Sequence, residues 1–297
     1  MSAKKHRDEK ADSGNAGTGV KLSGREGFEA YYSALYGERW ESLKLAFQCE
    51  SKAVEYRVPG AEKSYFLDSA SVLAALCLPL AGAENILDLC AAPGGKTLVL
   101  ASRMPQDAHL SSNERSPERK HRLATVVSEC LPPEISERIL VSCSDGATWC
   151  RRQSECFDRI LLDAPCSSER HVFNDEKYLS QWSPSRVKTV AMEEWALLSS
   201  AWRLLEPQGI LVYSTCALAP QENDEMMDRL EKKFSRNSKA MEFLDAVPDL
   251  TEIKACVPAD FTLPAWEKTK FGYQILPDVS GGAGPIYFSV IRKLESI

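Results

Sequence analysis

The 297-residue chain lacks most of the short patterns that announce a chemistry. It has no C-x-x-C pair, and Cys143, Cys150 and Cys156 stand at no ligand-like spacing, which argues against a zinc site. No G-x-G-x-x-G occurs, so the dinucleotide-binding fingerprint is absent. The turn ending Gly95-Lys96-Thr97 invites a phosphate-loop reading, but the glycine required five residues before Gly95 is Cys90. That turn is too short to wrap a triphosphate. Long apolar runs are missing too. The longest, 72–83, is broken by Pro79 and falls short of the about 20 residues that a membrane helix needs. The first residues carry Asp8, Glu9 and Asp12 without an apolar run, so no signal or transit peptide is expected. Positive charge is in deficit as well. The net charge is −6, whereas nucleic-acid binders usually carry an excess of Lys and Arg. Arg119-Lys120-His121-Arg122, Arg151-Arg152 and Arg186 with Lys188 are locally basic, yet each reads singly as a solvated helix face. An RNA-acting protein with this balance needs a local groove or a partner that supplies positive surface.

Cysteine, by contrast, is plentiful. Ten are scattered, several in apolar runs (Cys49, Cys77, Cys90, Cys143), and no secretory signal precedes them. This predicts a reducing, cytoplasmic setting with mostly buried, inert thiols. Residues 1–24 are polar and lysine-rich and are expected to be a disordered tail. Residues 25–84 are expected to form a small helical N-terminal extension. Aromatic and aliphatic side chains recur at helical spacing over 28–47, and Ser69 or Ser71 opens a further helix over 72–78. From 85 to 297 strands and helices alternate. Strands are expected at 86–90, 108–112, 138–144, 157–162, 209–213 and 285–292. Helices are expected at 97–104, 116–131, 185–205 and 223–234. Such alternation implies a mostly parallel sheet with helices on both faces.

The turn from Asp88 to Thr97 follows the first of these strands. Its residues Cys90, Ala91, Ala92, Pro93, Gly94 and Gly95 are small, so a ligand can approach the backbone, and the helix start beyond favours a carboxylate. Glu114, at the end of the next strand, is placed to accept hydrogen bonds from ribose hydroxyls. Asp145-Gly146 ends the third strand, where a carboxylate faces an adenine amino group. Any one of these fits a plain strand–helix turn with surface acids. The three together fit a nucleoside with an amino-acid tail, S-adenosyl-L-methionine.

Two further strands each end near a cysteine, Cys166 in Asp163-Ala164-Pro165-Cys166-Ser167 and Cys216 in Tyr213-Ser214-Thr215-Cys216. If those strands are parallel neighbours, both thiols leave the sheet at one edge, roughly 5–10 Å apart. A thiol pair beside a cofactor loop suggests covalent catalysis, although either thiol alone reads equally as packing. Spacing does not say which cysteine attacks.

Asp88 to Thr97, Asp163-Ala164-Pro165-Cys166-Ser167 and Ser214-Thr215-Cys216 resemble the motifs of the Sun-type RNA (cytosine-5)-methyltransferase family. The resemblance runs from about Leu67 to the C-terminus. Leu67-Asp68-Ser69-Ala70-Ser71 stands where the family usually has a Gln at the first position, and Pro285-Ile286-Tyr287 where many members carry Phe-Phe. These variants, with the stretches from Ser112 to Arg119 and from Cys166 to His171, are most similar to the mitochondrial ribosomal small-subunit branch. The Gly loop alone is shared with RNA ribose 2′-O-methyltransferases. The resemblance implies a class I S-adenosylmethionine-dependent methyltransferase fold, Rossmann-like, with a mostly parallel seven-stranded sheet. It implies Cys216 as nucleophile and Cys166 as the group that helps release product. It further implies cofactor contacts from Cys90 to Lys96 and from Glu114, Arg119, Asp145, Gly146 and Asp163.

Such an enzyme adds a thiolate to cytosine C6, so that the ring becomes an enamine able to attack the methyl of a sulfonium. Asp163 is the candidate acid near N3 or the exocyclic amine, with its pKa raised. Lys96 is the candidate to orient the base. Arg170, His171 and Trp182 follow Cys166 and are candidates for RNA contact or for loop packing. The expected partner is RNA, ribosomal before transfer RNA, presented by an assembling ribosomal subunit or with a protein partner. No metal and no membrane are expected. A non-catalytic assembly factor is the alternative outside enzymology.

Overall fold

The computed structural model describes residues 23–51, 53–235 and 238–295. Most of the expected tail, 1–22, lies outside the described residues. The chain runs through α1 (Gly24–Tyr36), α2 (Arg39–Gln48), β1 (Ala53–Tyr56), β2 (Tyr65–Asp68), α3 (Ser69–Leu76), β3 (Asn85–Asp88), α4 (Gly95–Ala101) and β4 (His109–Glu114). It continues through α5 (Pro117–Cys130), α6 (Pro133–Ser136), β5 (Ile139–Cys143), β6 (Phe157–Asp163), α7 (Glu169–Asn174), α8 (Glu176–Ser180) and α9 (Pro184–Leu204). The last elements are β7 (Leu205–Thr215), α10 (Asp224–Phe234), β8 (Met241–Leu244), β9 (Glu267–Lys268), β10 (Tyr273–Ile275) and β11 (Ile286–Lys293).

The apolar runs form strands because both faces of the sheet are covered by helices. Ile86 and Leu87 of β3, Ile160 to Leu162 of β6 and Leu211 to Tyr213 of β7 are all fully buried. The strand order is β5-β4-β3-β6-β7-β11-β10-β9, with β8 paired to β11. The pairs β5–β4, β4–β3, β3–β6 and β6–β7 are parallel, and β11, β10, β9 and β8 add antiparallel strands at the other side. Among the described residues the sheet therefore has nine strands rather than seven. The strands not expected from the sequence, β8, β9 and β10, are short and lie in the proline-bearing region after residue 240, where no periodicity marks them. The order reverses between β3 and β6. In open α/β sheets the crevice beyond the carboxyl ends of the strands at such a switch point is where ligands bind.

Local signals set the helix starts. Ser116 caps α5 by accepting from Arg119 N at 3.4 Å, with Pro117 in the first turn. The cap of α3 is Asp68, whose Oδ1 accepts from Ala70 N at 2.8 Å, so neither Ser69 nor Ser71 is the cap. The N-terminal extension is not purely helical, because β1 and β2 form an antiparallel ribbon. Nor does 84 separate two cores. Tyr56, Val58 and α3 pack in one hydrophobic cluster with Leu98, Val99 and Leu110. Within the extension, α1 and α2 build a separate cluster, in which Phe28, Tyr32, Trp40 and Phe47 close on Val172, Leu179 and Trp182. All ten thiols are free, and Cys49 and Cys143 are exposed rather than buried.

Candidate active site

Three strand ends converge at the switch point. β3 delivers Asp88, β6 delivers Asp163, and β7, registered with Asp163 opposite Ser214, delivers Cys216. Asp88 is buried; its Oδ2 accepts from Thr97 Oγ1 at 2.7 Å, and its Oδ1 meets no donor. Burial pushes this carboxyl up to about 7, against the pull of the Thr97 hydrogen bond. After Asp88 the loop turns at Gly94, whose φ of +120° belongs to glycine; a Cβ there would stand 2.9 Å from Val126 Cγ1. Lys96 sits not on the loop but in the first turn of α4.

Two clefts lie along this edge on the cofactor side and share Cys90. The first is lined by Asp88, Cys90 to Pro93, Gly95, Lys96 and Asp163. The second, about 260 Å³, is bounded by Cys90, Glu114, Arg119, Asp145 and Gly146, with Pro165 and Leu197 opposite. Glu114 is buried; its Oε1 accepts from Ser116 N at 2.9 Å and its Oε2 pairs with Arg119 Nη1 at 3.2 Å. Arg119 Nη2 also donates to Ala92 O at 2.6 Å, so Arg119 ties the loop to Glu114 across the rim. Asp145 is exposed, and its Oδ1 accepts from Ala147 N at 3.1 Å. Asn113, not singled out by the sequence, braces this wall. Its Nδ2 donates to Leu89 O and Ser144 O, at 3.1 and 3.0 Å.

Lys96 Nζ donates to Asp163 Oδ2 at 2.7 Å and to Ser71 Oγ at 3.3 Å. Burial works against the Lys96 charge, but Asp163 and Cys216 hold the ammonium above the usual lysine range. Asp163 Oδ1 also accepts from Ser214 Oγ at 2.8 Å. Lys96 and Asp163 thus form an ion pair beside the thiols.

The two thiols meet. Cys166 Sγ and Cys216 Sγ are 2.6 Å apart, and Cys216 N donates to Cys166 Sγ at 3.2 Å. The hydrogen bond to Cys216, then burial, pushes the Cys166 thiol well above its ordinary range. Cys166 therefore keeps its proton at neutral pH, with its sulfur against that of Cys216. Ser168, in the left-handed region at φ 55°, places its Oγ 3.1 Å from Cys216 Sγ and 3.6 Å from Cys166 Sγ. Its small side chain and its place just after the Cys-Ser step were the signals available for it. A third cleft, about 400 Å³, is lined by Cys216, Ser168, His171, Ser71 and Pro285 but not by Cys166. It meets the cofactor side at Ser71.

The other candidates near Cys166 separate. Trp182 is buried in the aromatic cluster of α1 and α2. Arg170 donates to Gly282 O at 2.7 Å, Gly284 O at 2.6 Å and Cys49 O at 2.8 Å, so it is a brace for carbonyls. His171 alone of the three is exposed at the third cleft.

The arrangement matches known proteins. A methyltransferase homolog from Pyrococcus horikoshii superposes with a TM-score of 0.65, covering 90% of this chain and 94% of its own at 22% identity. The fold is that of class I S-adenosylmethionine-dependent methyltransferases. The bovine 5-cytosine rRNA methyltransferase NSUN4 is 31% identical over 239 residues, 77% of this chain and 59% of that protein. The mouse mitochondrial tRNA (cytosine(34)-C(5))-methyltransferase is 31% identical over 234 residues, 78% of this chain and 64% of that protein. The chain thus spans about three fifths of the length of these curated relatives. Residues 75–258, which carry the Gly loop and both thiols, match the 16S rRNA methyltransferase RsmB/F family, and the chain belongs to that family.

Proposed function

We propose that this chain methylates C5 of a cytosine in RNA, with S-adenosyl-L-methionine as methyl donor and Cys216 as nucleophile. The observation that carries the reading is the thiol pair: two sulfurs 2.6 Å apart, one of them open to a cleft that lies across Ser71 from the cofactor loop. The cofactor side fits the donor. Asp88 has a buried oxygen without a partner for an ammonium, the loop residues Ala91 to Gly95 are small, and Glu114 offers a carboxylate to ribose hydroxyls. When bound, the donor supplies an electrophilic methyl group on a sulfonium.

Cytosine C5 is a poor nucleophile. Cys216 Sγ adds to C6, and the electron pair of the 5,6 double bond moves to C5. Later C5 gives its proton to solvent, the electron pair re-forms the double bond and the C6–S bond breaks, with the Cys216 sulfur taking up a proton as it leaves. A soft nucleophile that can leave again suits both steps. Cys166, kept protonated, is placed to return a proton to the departing Cys216 sulfur. Lys96, held charged by Asp163, is the donor to the ring as negative charge develops, and Asp163 orients it. The target base comes from a single-stranded or flipped segment, because a stacked base hides its C6 face.

Ribosomal RNA is favoured over transfer RNA because the family description and the bovine relative's name both carry it. An assembling subunit or a protein partner would offset the chain's negative charge. The ten free thiols fit a reducing compartment, in our reading the cytoplasm; imaging of the tagged protein tests that. The chemistry is tested by incubating small-subunit and transfer RNA with labelled donor. Transfer to ribosomal RNA is expected for wild type, no transfer for Cys216→Ala, and a lasting covalent RNA adduct for Cys166→Ala. An adduct lost in Cys166→Ala and kept in Cys216→Ala reverses the two roles. Transfer indifferent to Cys216→Ala points to ribose methylation instead.

A further inference from the structure

We infer that Glu169 and Glu222 are positioning residues that lock the two thiol loops together, each reaching from one loop to the other. The inference rests on the reading of Cys216 as attacker and Cys166 as the releasing group. Glu169 lies just after Cys166, yet its Oε2 accepts from Leu218 N, beyond Cys216, at 2.9 Å. Glu222 lies after Cys216, yet its Oε2 accepts from Ser167 N at 2.8 Å and its Oε1 from Ser167 Oγ at 2.6 Å. The bracing is therefore reciprocal. Glu169 fixes the backbone that carries Cys216, and Glu222 fixes the backbone that carries Cys166.

Both carboxyls are 0% exposed. A buried carboxylate is costly unless donors satisfy it, and here the donors are loop amides and hydroxyls. Ser167 Oγ also stands 2.5 Å from Glu169 Oε1, and Tyr32 of α1 donates to that same oxygen at 2.5 Å. One hydroxyl proton on Ser167 cannot serve both carboxylates, so the cluster holds at least one further proton. Burial, then the Glu169 charge, pushes Glu222 up to about 7. Glu194 of α9 is also buried, and burial followed by the Glu222 charge pushes it to about 11. Glu194 is thus neutral at pH 7, and its buried carboxyl oxygens have no hydrogen-bond partner. Through Tyr32 the clamp also ties α1 to the thiol loops.

The clamp predicts a split that a merely structural role would not produce. The full chain is used with RNA, and adduct formation and adduct breakdown are timed separately. Misplacement by about 1 Å can cost on the order of 100-fold, so effects of about 10- to 100-fold are expected. Glu222→Ala should slow breakdown, so that adduct accumulates as with Cys166→Ala. Glu222→Gln, which keeps an acceptor for Ser167 N, should restore breakdown. Glu169→Ala, and more mildly Tyr32→Phe, should slow adduct formation without accumulation. Alkylation by iodoacetamide, mapped by mass spectrometry, reads the clamp without any activity: Glu222→Ala should raise labelling of Cys166 more than that of Cys216. Rates that fall together in all variants, in step with lost thermal stability, would overturn the inference. So would equal labelling of both thiols. If wild type forms neither adduct nor methylated RNA, the functional reading fails, and the labelling pattern still decides the clamp.

Discussion

Replacing Asp88 with Asn should remove a pH dependence of stability that the fold builds into the wild-type protein. Asp88 is 1% exposed at the end of β3, with one oxygen on Thr97 and the other without a donor. Burial raises its carboxyl from 3.8 to about 7. The folded state therefore binds this proton more tightly than the unfolded chain does. The stabilisation is complete below pH 3.8, declines as the pH rises from there, and is fully lost above about 7. At about 1.4 kcal/mol per pH unit, the interval from 3.8 to about 7 amounts to about 4 kcal/mol. Between pH 5 and pH 8 the part still to be lost is about 3 kcal/mol. The amide of Asp88→Asn does not titrate. It keeps an acceptor for Thr97, and its unpartnered NH2 adds a cost of about 1–3 kcal/mol that is the same at every pH. Urea unfolding of both proteins at pH 5 and pH 8 measures the difference. The stability of Asp88→Asn relative to wild type should rise by about 3 kcal/mol toward pH 8. Glu222 and Glu194, also raised, contribute equally to both proteins and cancel if the sites are independent. A difference that stays within about 0.5 kcal/mol across this range refutes the reasoning.

Binding of S-adenosyl-L-methionine should tighten as pH rises through about 7, because an ammonium prefers ionised Asp88; titration calorimetry should show that trend and its flattening in Asp88→Asn. Gly94→Ala should destabilise by about 2–5 kcal/mol, from the φ of +120° and a Cβ 2.9 Å from Val126, and thermal unfolding would detect it. Arg170→Ala should cost about 3 kcal/mol of stability by stripping carbonyls of charge-assisted hydrogen bonds. His171→Ala should leave stability within about 0.5 kcal/mol and weaken RNA binding in a filter assay, so the two neighbours fall on opposite sides of one comparison.

Parts of this site are legible in sequence because strands buried on both faces leave continuous apolar runs. The runs at β3, β6 and β7 are of that kind, so the apolar pattern by itself puts Asp163 and Cys216 just past strand ends, whereas the run at 86–90 continues two residues beyond Asp88, where β3 stops. The ribbon of β1 and β2 is not, since its strands have four residues each, β1 alternates exposed with buried side chains, and only Leu67 of β2 is buried. Asp68 is hidden for another reason: serines crowd the start of α3, and only the backbone shows which side chain meets Ala70 N. Arg170 and Trp182 have residue types that suit RNA as well as packing, and the position of α1 and α2 decides between them.

Glu169 and Glu222 are the deepest case. Glutamates beside Ser, Arg and Asn read as solvated loop residues, and nothing within each loop says otherwise. Their burial follows from an adjacency that is not local. β6 pairs with β7, so the loop after Cys166 lies against the loop after Cys216. Each loop then has amide donors that its own residues do not satisfy, and the acceptor comes from the other. A buried donor left unpaired costs about 1–3 kcal/mol, which favours a carboxylate over an apolar side chain at both positions. The same pairing that brings the sulfurs within 2.6 Å therefore also fixes why two acids are buried beside them.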